Sequence, residues 1–251
     1  MEPTSRFTDR ADLYAKYRPS YPTAALDCLY GEAGIRPSSR IAEIGAGTGI
    51  FTRLLLERGS AVTAVEPNAA MRERLAEALG AEPKLEIASG TAEATALPDR
   101  VFDAVVCAQA FHWFDREAAK REFRRIMRTD GVAALVWNTR RTTGHPFLER
   151  FERLLLTYGT DYAKVNHRNV TRDELKRFFR EGTMRAETFE YRLAHDYDAL
   201  RGRVLSSSYC PAPGQPNYEP MMAELRALFD AFESDGVVPF EYETEVYWGL
   251  L

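Results

Sequence analysis

The chain has 251 residues, with 33 lysines and arginines against 37 aspartates and glutamates, a formal charge of -4. At 45% hydrophobic and 28% charged it has the composition of a globular protein able to build one sizeable core, and the acidic balance counts against a nucleic acid held by charge. Cys28, Cys107 and Cys210 show no Cys-x-x-Cys spacing, so neither a disulfide framework nor a zinc site is expected, and no stretch approaches the roughly 18 apolar residues of a membrane span. The expectation is a cytoplasmic protein with no membrane and no metal.

After an N-terminal segment, the apolar run Ile41–Ile44 predicts a strand over about 40–45. It ends in three alternate glycines, Gly45, Gly47 and Gly49, and a helix is expected over about 48–58, stopped at Gly59. Ala61 to Glu66 reads as the second strand. Asn68 caps a helix whose apolar face is Met71, Leu75 and Leu79. Lys84–Ala88 and Phe102–Ala108 read as strands, Asp115 caps a helix to about Arg128, and Thr129-Asp130-Gly131 turns into a strand over 132–137. Short continuous apolar runs of this kind are typical of parallel strands covered on both faces.

The second half reads differently. Residues 140–181 are helical in pattern, 185–195 alternate as a strand, helices are expected over about 196–208 and 219–234, and Val238–Trp248 alternates as the last strand. The fold expected is α/β: a doubly wound, Rossmann-like, mostly parallel seven-stranded sheet with an antiparallel last strand and a helical lid. Within one domain over 1–251, residues 1–38 cover the ligand and 39–139 form the binding core. Residues 140–185 and 196–236 form the lid, and 186–195 and 237–251 close the sheet.

A strand, a glycine turn and a helix start is how such folds hold a nucleotide-like ligand. Glu66, closing the second strand, stands where an acidic residue binds the hydroxyls of a ribose. A dinucleotide site wants Gly-x-Gly-x-x-Gly, and read from Gly45 its third position is Ile50. Here the pattern is Glu-x-Gly-x-Gly-x-Gly, with Glu43 inside the strand, and an acid there suits the ammonium of S-adenosylmethionine. The segment resembles motif I of the class I S-adenosylmethionine-dependent methyltransferases.

Two further stretches extend the resemblance. Gly90-Thr-Ala-Glu-Ala-Thr-Ala-Leu-Pro98 is similar to the adenine loop of that superfamily, with Ala92 and Glu93 in place but Thr91 where an acid is usual. Gln109-Ala-Phe-His-Trp-Phe114 resembles a small-molecule branch near the trans-aconitate methyltransferase-like proteins, as do Phe7-Thr-Asp-Arg-Ala-Asp-Leu-Tyr14 and Tyr17-Arg-Pro-Ser-Tyr-Pro22. The resemblance spans residues 7–138 and is faint beyond Arg140. It implies that Tyr14 and Arg18 approach the methionine end of the cofactor.

On this reading Gly45, Ala46, Gly47 and Gly49 pass beside the cofactor, and Glu66 and Pro67 meet its ribose side. Asn68 and Met71 flank the adenine, and Ala108 and Gln109 line the methionine end. His112 and Trp113 face the methyl acceptor, His112 as a base of ordinary pKa if the acceptor is a hydroxyl. Arg140, Arg141 and His145, following the fifth strand, are candidates to hold an acidic acceptor. The acceptor expected is a small molecule. A non-catalytic cofactor-binding protein stays open, as does a nicotinamide-dependent oxidoreductase, although no Tyr-x-x-x-Lys occurs.

Overall fold

A computed structural model describes residues 8–164 and 167–251; Phe7, which heads the N-terminal resemblance, lies outside them. Two helices open the chain, α1 (Ala11–Tyr17) and α2 (Thr23–Gly31), parted by Pro19 and Pro22. A proline cannot donate a helical hydrogen bond and biases the residue before it out of the helical region, so the chain breaks there. Strand and helix then alternate: β1 (Arg40–Ile44), α3 (Ile50–Glu57), β2 (Ala61–Val65), α4 (Ala69–Leu79), β3 (Leu85–Ala88), β4 (Phe102–Ala108), α5 (Arg116–Ile126) and β5 (Met127–Arg140).

The remaining elements are α6 (Pro146–Tyr158), α7 (Arg172–Phe178), β6 (Arg185–His195), α8 (Tyr197–Leu205), α9 (Tyr218–Phe232) and β7 (Val238–Gly249). The seven strands form one sheet in the order β3-β2-β1-β4-β5-β7-β6. Strands β3 to β5 pair in parallel, and β7 inserts antiparallel to both β5 and β6. The expected mixed seven-stranded sheet is what forms.

Successive residues of the central strands feed opposite cores. In β1, Ile41 packs with the face carrying Leu29 and Phe51, whereas Ala42 and Ile44 pack with Phe123 and Phe178 on the other. In β4, Val105 and Cys107 take the second face and Ala104 and Val106 the first. Both faces being covered is why these strands read as unbroken apolar runs rather than alternating ones. Each fully buried Leu, Ile or Phe contributes about 1.5–3 kcal/mol, so the two layers together lock the β1 and β4 ends in place.

One element departs from expectation. Thr129-Asp130-Gly131 is not a turn ahead of a strand: β5 begins at Met127, and the three residues make an irregularity in its pairing. Phe102 pairs with Met127, and the next pair on β4 is Ala104 with Val132. At its other end β5 runs to Arg140 because β7 pairs with it as far as Tyr242. Pairing from a distant strand overrides the local turn signal.

A third core joins α6, α8 and α9 to β7, with Phe147, Leu154, Leu200, Leu225 and Phe240 fully buried. Helix α1 packs on α8, where a Cβ at Gly202 would enter the ring of Tyr17. The C-terminal end of α8 thereby stands over the strand ends. No helix among the described residues is long and apolar enough to cross a membrane.

Candidate functional site

The chain winds in opposite directions on either side of the β1–β4 pair, and the crevice at such a reversal is where open α/β sheets bind ligands. Two chambers open there. The inner one is lined by Glu66, Pro67, Met71, Thr91, Ala92 and Glu93. The outer one is lined by Glu43, Ala46, Tyr21, Arg18, His112 and residues of the C-terminal half. Tyr14, Gly45, Gly47, Ala108, Gln109 and Trp113 line both, so the two are one continuous cleft.

The three glycines divide the work. Gly47, at a φ of +59°, has only the Tyr14 ring within 3.9 Å of where a Cβ would stand. Its N–H donates to Glu66 Oε2 at 2.9 Å, joining the turn to the tip of β2. Gly45 packs instead: a Cβ there would lie 2.5 Å from Ala110 Cβ. Gly49 does not line the cleft. At a φ of +86° it precedes α3, and a Cβ would stand 3.0–3.1 Å from Leu79 and Leu75 of α4. The spacing promised ligand contact at all three glycines, but helix packing takes one of them.

Glu66 is 8% exposed and accepts from two backbone amides, Gly47 and, at 2.9 Å, Asn68. Burial raises its pKa, and the two amides oppose the rise. Glu43, 1% exposed at the end of β1, accepts from Thr52 Oγ1 at 2.6 Å. Burial pushes its carboxyl up to about 8 against that bond, with the nearby Glu66 adding to the rise.

Asn68 falls outside both chambers. Its side chain caps α4 by accepting from the Met71 N–H at 3.1 Å, and its Nδ2 donates to Thr8 Oγ1 at 2.9 Å. It ties the N-terminal segment to α4. Glu93 lines the inner chamber while accepting from the Asp115 N–H at 2.9 Å. Gln109 has a φ of +59°, a left-handed conformation that costs a non-glycine residue about 1–3 kcal/mol. Its N–H is bonded to Val136 O and its Nε2 to Asn138 O, so the β4 exit is held in this shape by β5.

His112 and Trp113 both face the cleft, but His112 is no ordinary histidine. Burial, then the charges of His167, Arg18 and Arg116, lower its pKa to about 3, and among the described residues its Nδ1 has no hydrogen-bond partner. His167, whose ring centroid lies 6.0 Å away, is lowered to about 4 for the same first reason. Both rings are neutral at pH 7, and His112 is a weaker base than its residue type promised.

The arginines also separate. Arg140 lines the outer chamber, paired with Glu152 and 3.2 Å from the Tyr162 hydroxyl. Arg141 lies outside the cleft, where it bonds Glu243 at 3.0 Å on the neighbouring strand and reaches Glu190 at 3.3 Å. His145 is likewise outside, its Nδ1 accepting from the Phe147 N–H at 3.1 Å as the N-cap of α6. Successive residues of a strand face opposite sides of the sheet, so the adjacent Arg140 and Arg141 part company.

Arg203, Tyr209, Tyr242, His167 and Tyr162 also line the outer chamber, and the sequence gives none of them a role. They come from α8, β7 and the connections around α6 and α8, where no motif marks them. The unusual φ of Gln109 is equally hidden, because glutamine, unlike glycine, asparagine or aspartate, gives no signal of a left-handed backbone.

Residues 42–135 match the family model described as a methyltransferase domain. Over 155 residues the chain is 38% identical to an uncharacterized methyltransferase-like protein of Schizosaccharomyces pombe, covering 61% of this chain and 59% of that one. An uncharacterized methyltransferase of Mycobacterium tuberculosis is 42% identical over 134 residues, 53% of this chain and 52% of its own. The chain thus spans a little over half the length of these curated relatives. Among solved structures, one described as a type II methyltransferase of Anaeromyxobacter dehalogenans superposes with a TM-score of 0.70 at 24% identity, covering 93% of this chain and 98% of that one. Haemonchus contortus phosphoethanolamine N-methyltransferase 2 superposes at 0.56 and 14% identity over 98% of this chain and 58% of its own. The glycine turn, the acidic tips of β1 and β2 and the strand order agree with the fold of these solved methyltransferases, and residues 42–135 are similar to a methyltransferase domain.

Proposed function

We propose that this protein is an S-adenosylmethionine-dependent methyltransferase acting on a small acceptor through an oxygen nucleophile, a carboxylate or a hydroxyl. The observation that carries the cofactor is the pair of buried carboxylates at the tips of adjacent strands. Glu66, oriented by two amides, keeps lone pairs for ribose hydroxyls. Glu43, its pKa raised to about 8 by burial, sits where a cation is favourable. Pro67, Met71 and Ala92 give the inner chamber an apolar wall suited to a base. The Haemonchus neighbour was solved with S-adenosylhomocysteine, and the domain match supports the same ligand here.

Bound S-adenosylmethionine supplies an electrophilic methyl on a sulfonium; the chain supplies position and exclusion of water. Tyr14 and Trp113 line both chambers and so flank the passage between them. Trp113 there offers a ring face to a cation. Arg18, beside Tyr14 in the outer chamber, suits the cofactor's carboxylate. With His112 lowered to about 3, an acceptor oxygen that is already ionised fits the site better than one needing His112 as its base.

Calorimetry with S-adenosylmethionine, S-adenosylhomocysteine and NAD tests the cofactor, with binding of the first two and none of the third expected. A panel of small acids and phenols, followed by release of S-adenosylhomocysteine, tests the acceptor. Tight NAD binding with no heat from either adenosyl compound would discard the reading.

A further inference from the structure

We infer that Arg203 is an oxyanion subsite: the acceptor carries a carboxylate or phosphate that anchors on this guanidinium and is not itself the methylated group. The inference deepens the proposed function and rests on it.

Four arginines line the outer chamber (Arg18, Arg140, Arg168 and Arg203) against one glutamate, Glu43. Arg140 has Glu152 as its counter-ion. Among the described residues Arg18 and Arg203 form no salt bridge. They share one neutral acceptor, Ser207 Oγ, at 3.0 Å from Arg203 Nη1 and 3.4 Å from Arg18 Nη2. Two guanidiniums converging on one hydroxyl repel each other, and the repulsion persists until an anion joins them. Arg203 is held in place for one on the wall of the outer chamber: its Nε donates to the Tyr242 hydroxyl at 3.2 Å and its Nη1 to Ser207 Oγ. Burial alone would lower the Arg203 pKa, but Tyr242 and Tyr209 more than offset this and keep it charged. Burial likewise raises the Tyr209 phenol, yet Arg203 and Arg18 outweigh it and hold the phenol below its ordinary value.

The cofactor does not settle this excess. S-adenosylmethionine carries an ammonium, a sulfonium and one carboxylate, so it enters with a net positive charge. Its carboxylate answers Arg18 and leaves Arg203. The remaining negative charge has to arrive with the acceptor. An oxygen held by a guanidinium has its lone pairs engaged and its charge stabilised, which makes it a poor nucleophile. The anchored anion and the methylated oxygen are therefore different groups of one molecule.

The test is titration calorimetry of the full chain saturated with S-adenosylhomocysteine, in chloride-free buffer, with malonate in one arm and inorganic phosphate in the other. At least one anion is expected to bind, with Arg203→Met weakening it tenfold or more while S-adenosylhomocysteine affinity changes less than threefold. Binding of malonate alone assigns a carboxylate, and of phosphate alone a phosphate. Should Arg203→Met fail to fold by near-UV circular dichroism, Arg203→Gln carries the same comparison. The proposal is overturned if neither anion binds, if the variant binds them as the unaltered chain does, or if it loses S-adenosylhomocysteine equally. The last result would assign Arg203 to the cofactor's own carboxylate. No binding of S-adenosylhomocysteine to the unaltered chain would instead overturn the cofactor reading on which the acceptor assignment stands.

Discussion

The two chambers of the cleft are built in opposite ways. Apart from Tyr14, every residue lining the inner chamber lies between Gly45 and Phe114, and backbone groups do much of the work there: the Gly47 and Asn68 amides orient Glu66. The outer chamber draws Arg18 from the N-terminal segment, Arg140 from β5, Arg203 from α8 and Tyr242 from β7. Its polar groups are side chains whose partners are equally remote, as where Asn138 donates to Ser20 O at 2.8 Å and accepts from Thr244 at 2.6 Å. A chamber made by one local motif is constrained to one kind of ligand. One assembled from distant side chains can change its acceptor while the motif stays.

That contrast is open to breakage at several points. Glu66→Ala should have the largest effect, weakening S-adenosylhomocysteine binding by about 1.5–3 kcal/mol, the usual worth of hydrogen bonds to a charged group. An unchanged calorimetric affinity would remove Glu66 from the ribose. Next comes Glu43, whose raised pKa works in two directions. A cation placed beside it favours its ionised form, so affinity for the ammonium-bearing cofactor should rise with pH and level off above about 8. For the protein alone the sign is reversed. A carboxyl raised above its unfolded value contributes stability below the unfolded pKa, and that stability is lost as pH rises through about 8. Glu43→Gln should therefore bind cofactor about tenfold more weakly, flatten the pH dependence of affinity, and raise Tm at pH 8 but not at pH 4. A variant whose affinity keeps the full pH dependence would assign that titration elsewhere.

Smaller effects are expected outside the cleft. His145→Ala removes the cap of α6 and should cost about 0.5–1 kcal/mol in denaturant unfolding, with S-adenosylhomocysteine affinity unchanged. The N-terminal segment is tied down by Arg10, which donates to Cys210 O at 2.6 Å and to Ser207 O. If this segment covers the cofactor, S-adenosylhomocysteine should slow proteolytic cleavage between Tyr14 and Tyr21 several-fold; equal rates in both states would leave it a fixed wall. Arg141→Met should move neither cofactor affinity, acceptor KM nor Tm measurably, since its ion pairs lie on a solvent-facing part of the sheet. A raised KM in that variant alone would bring Arg141 back to the acceptor.

How much of this was legible in advance follows the same division. The strand–glycine–helix unit at Ile41–Glu57, the acid at Glu66, the Asn68 and Asp115 caps and the seven strands were all readable from residue order, because each rests on local conformation or on a periodicity of burial. Residue order misleads where a neighbour distant in sequence decides the matter. Gly49 looked like a ligand contact and is a packing contact, since Leu75 and Leu79 of α4 occupy its open side. Asn68, expected beside the adenine, lies outside both chambers with its Oδ1 capping α4. Residue type gives His112 its ordinary pKa, and only burial among particular neighbours lowers it. Arg140 and Arg141 looked interchangeable until β7 paired beside β5 and gave one a place in the cleft and the other three glutamates.

By itself, then, residue order determined the methyltransferase fold and the chemistry of the inner chamber, because backbone turns, caps and strand burial are dictated by a few residues close together in the chain. Tertiary structure alone decided which arginines line the outer chamber, which histidines stay neutral and which glycines pack against a helix. Charge, burial and orientation at those positions are set by side chains of other elements, from Leu75 beside Gly49 to Glu243 beside Arg141.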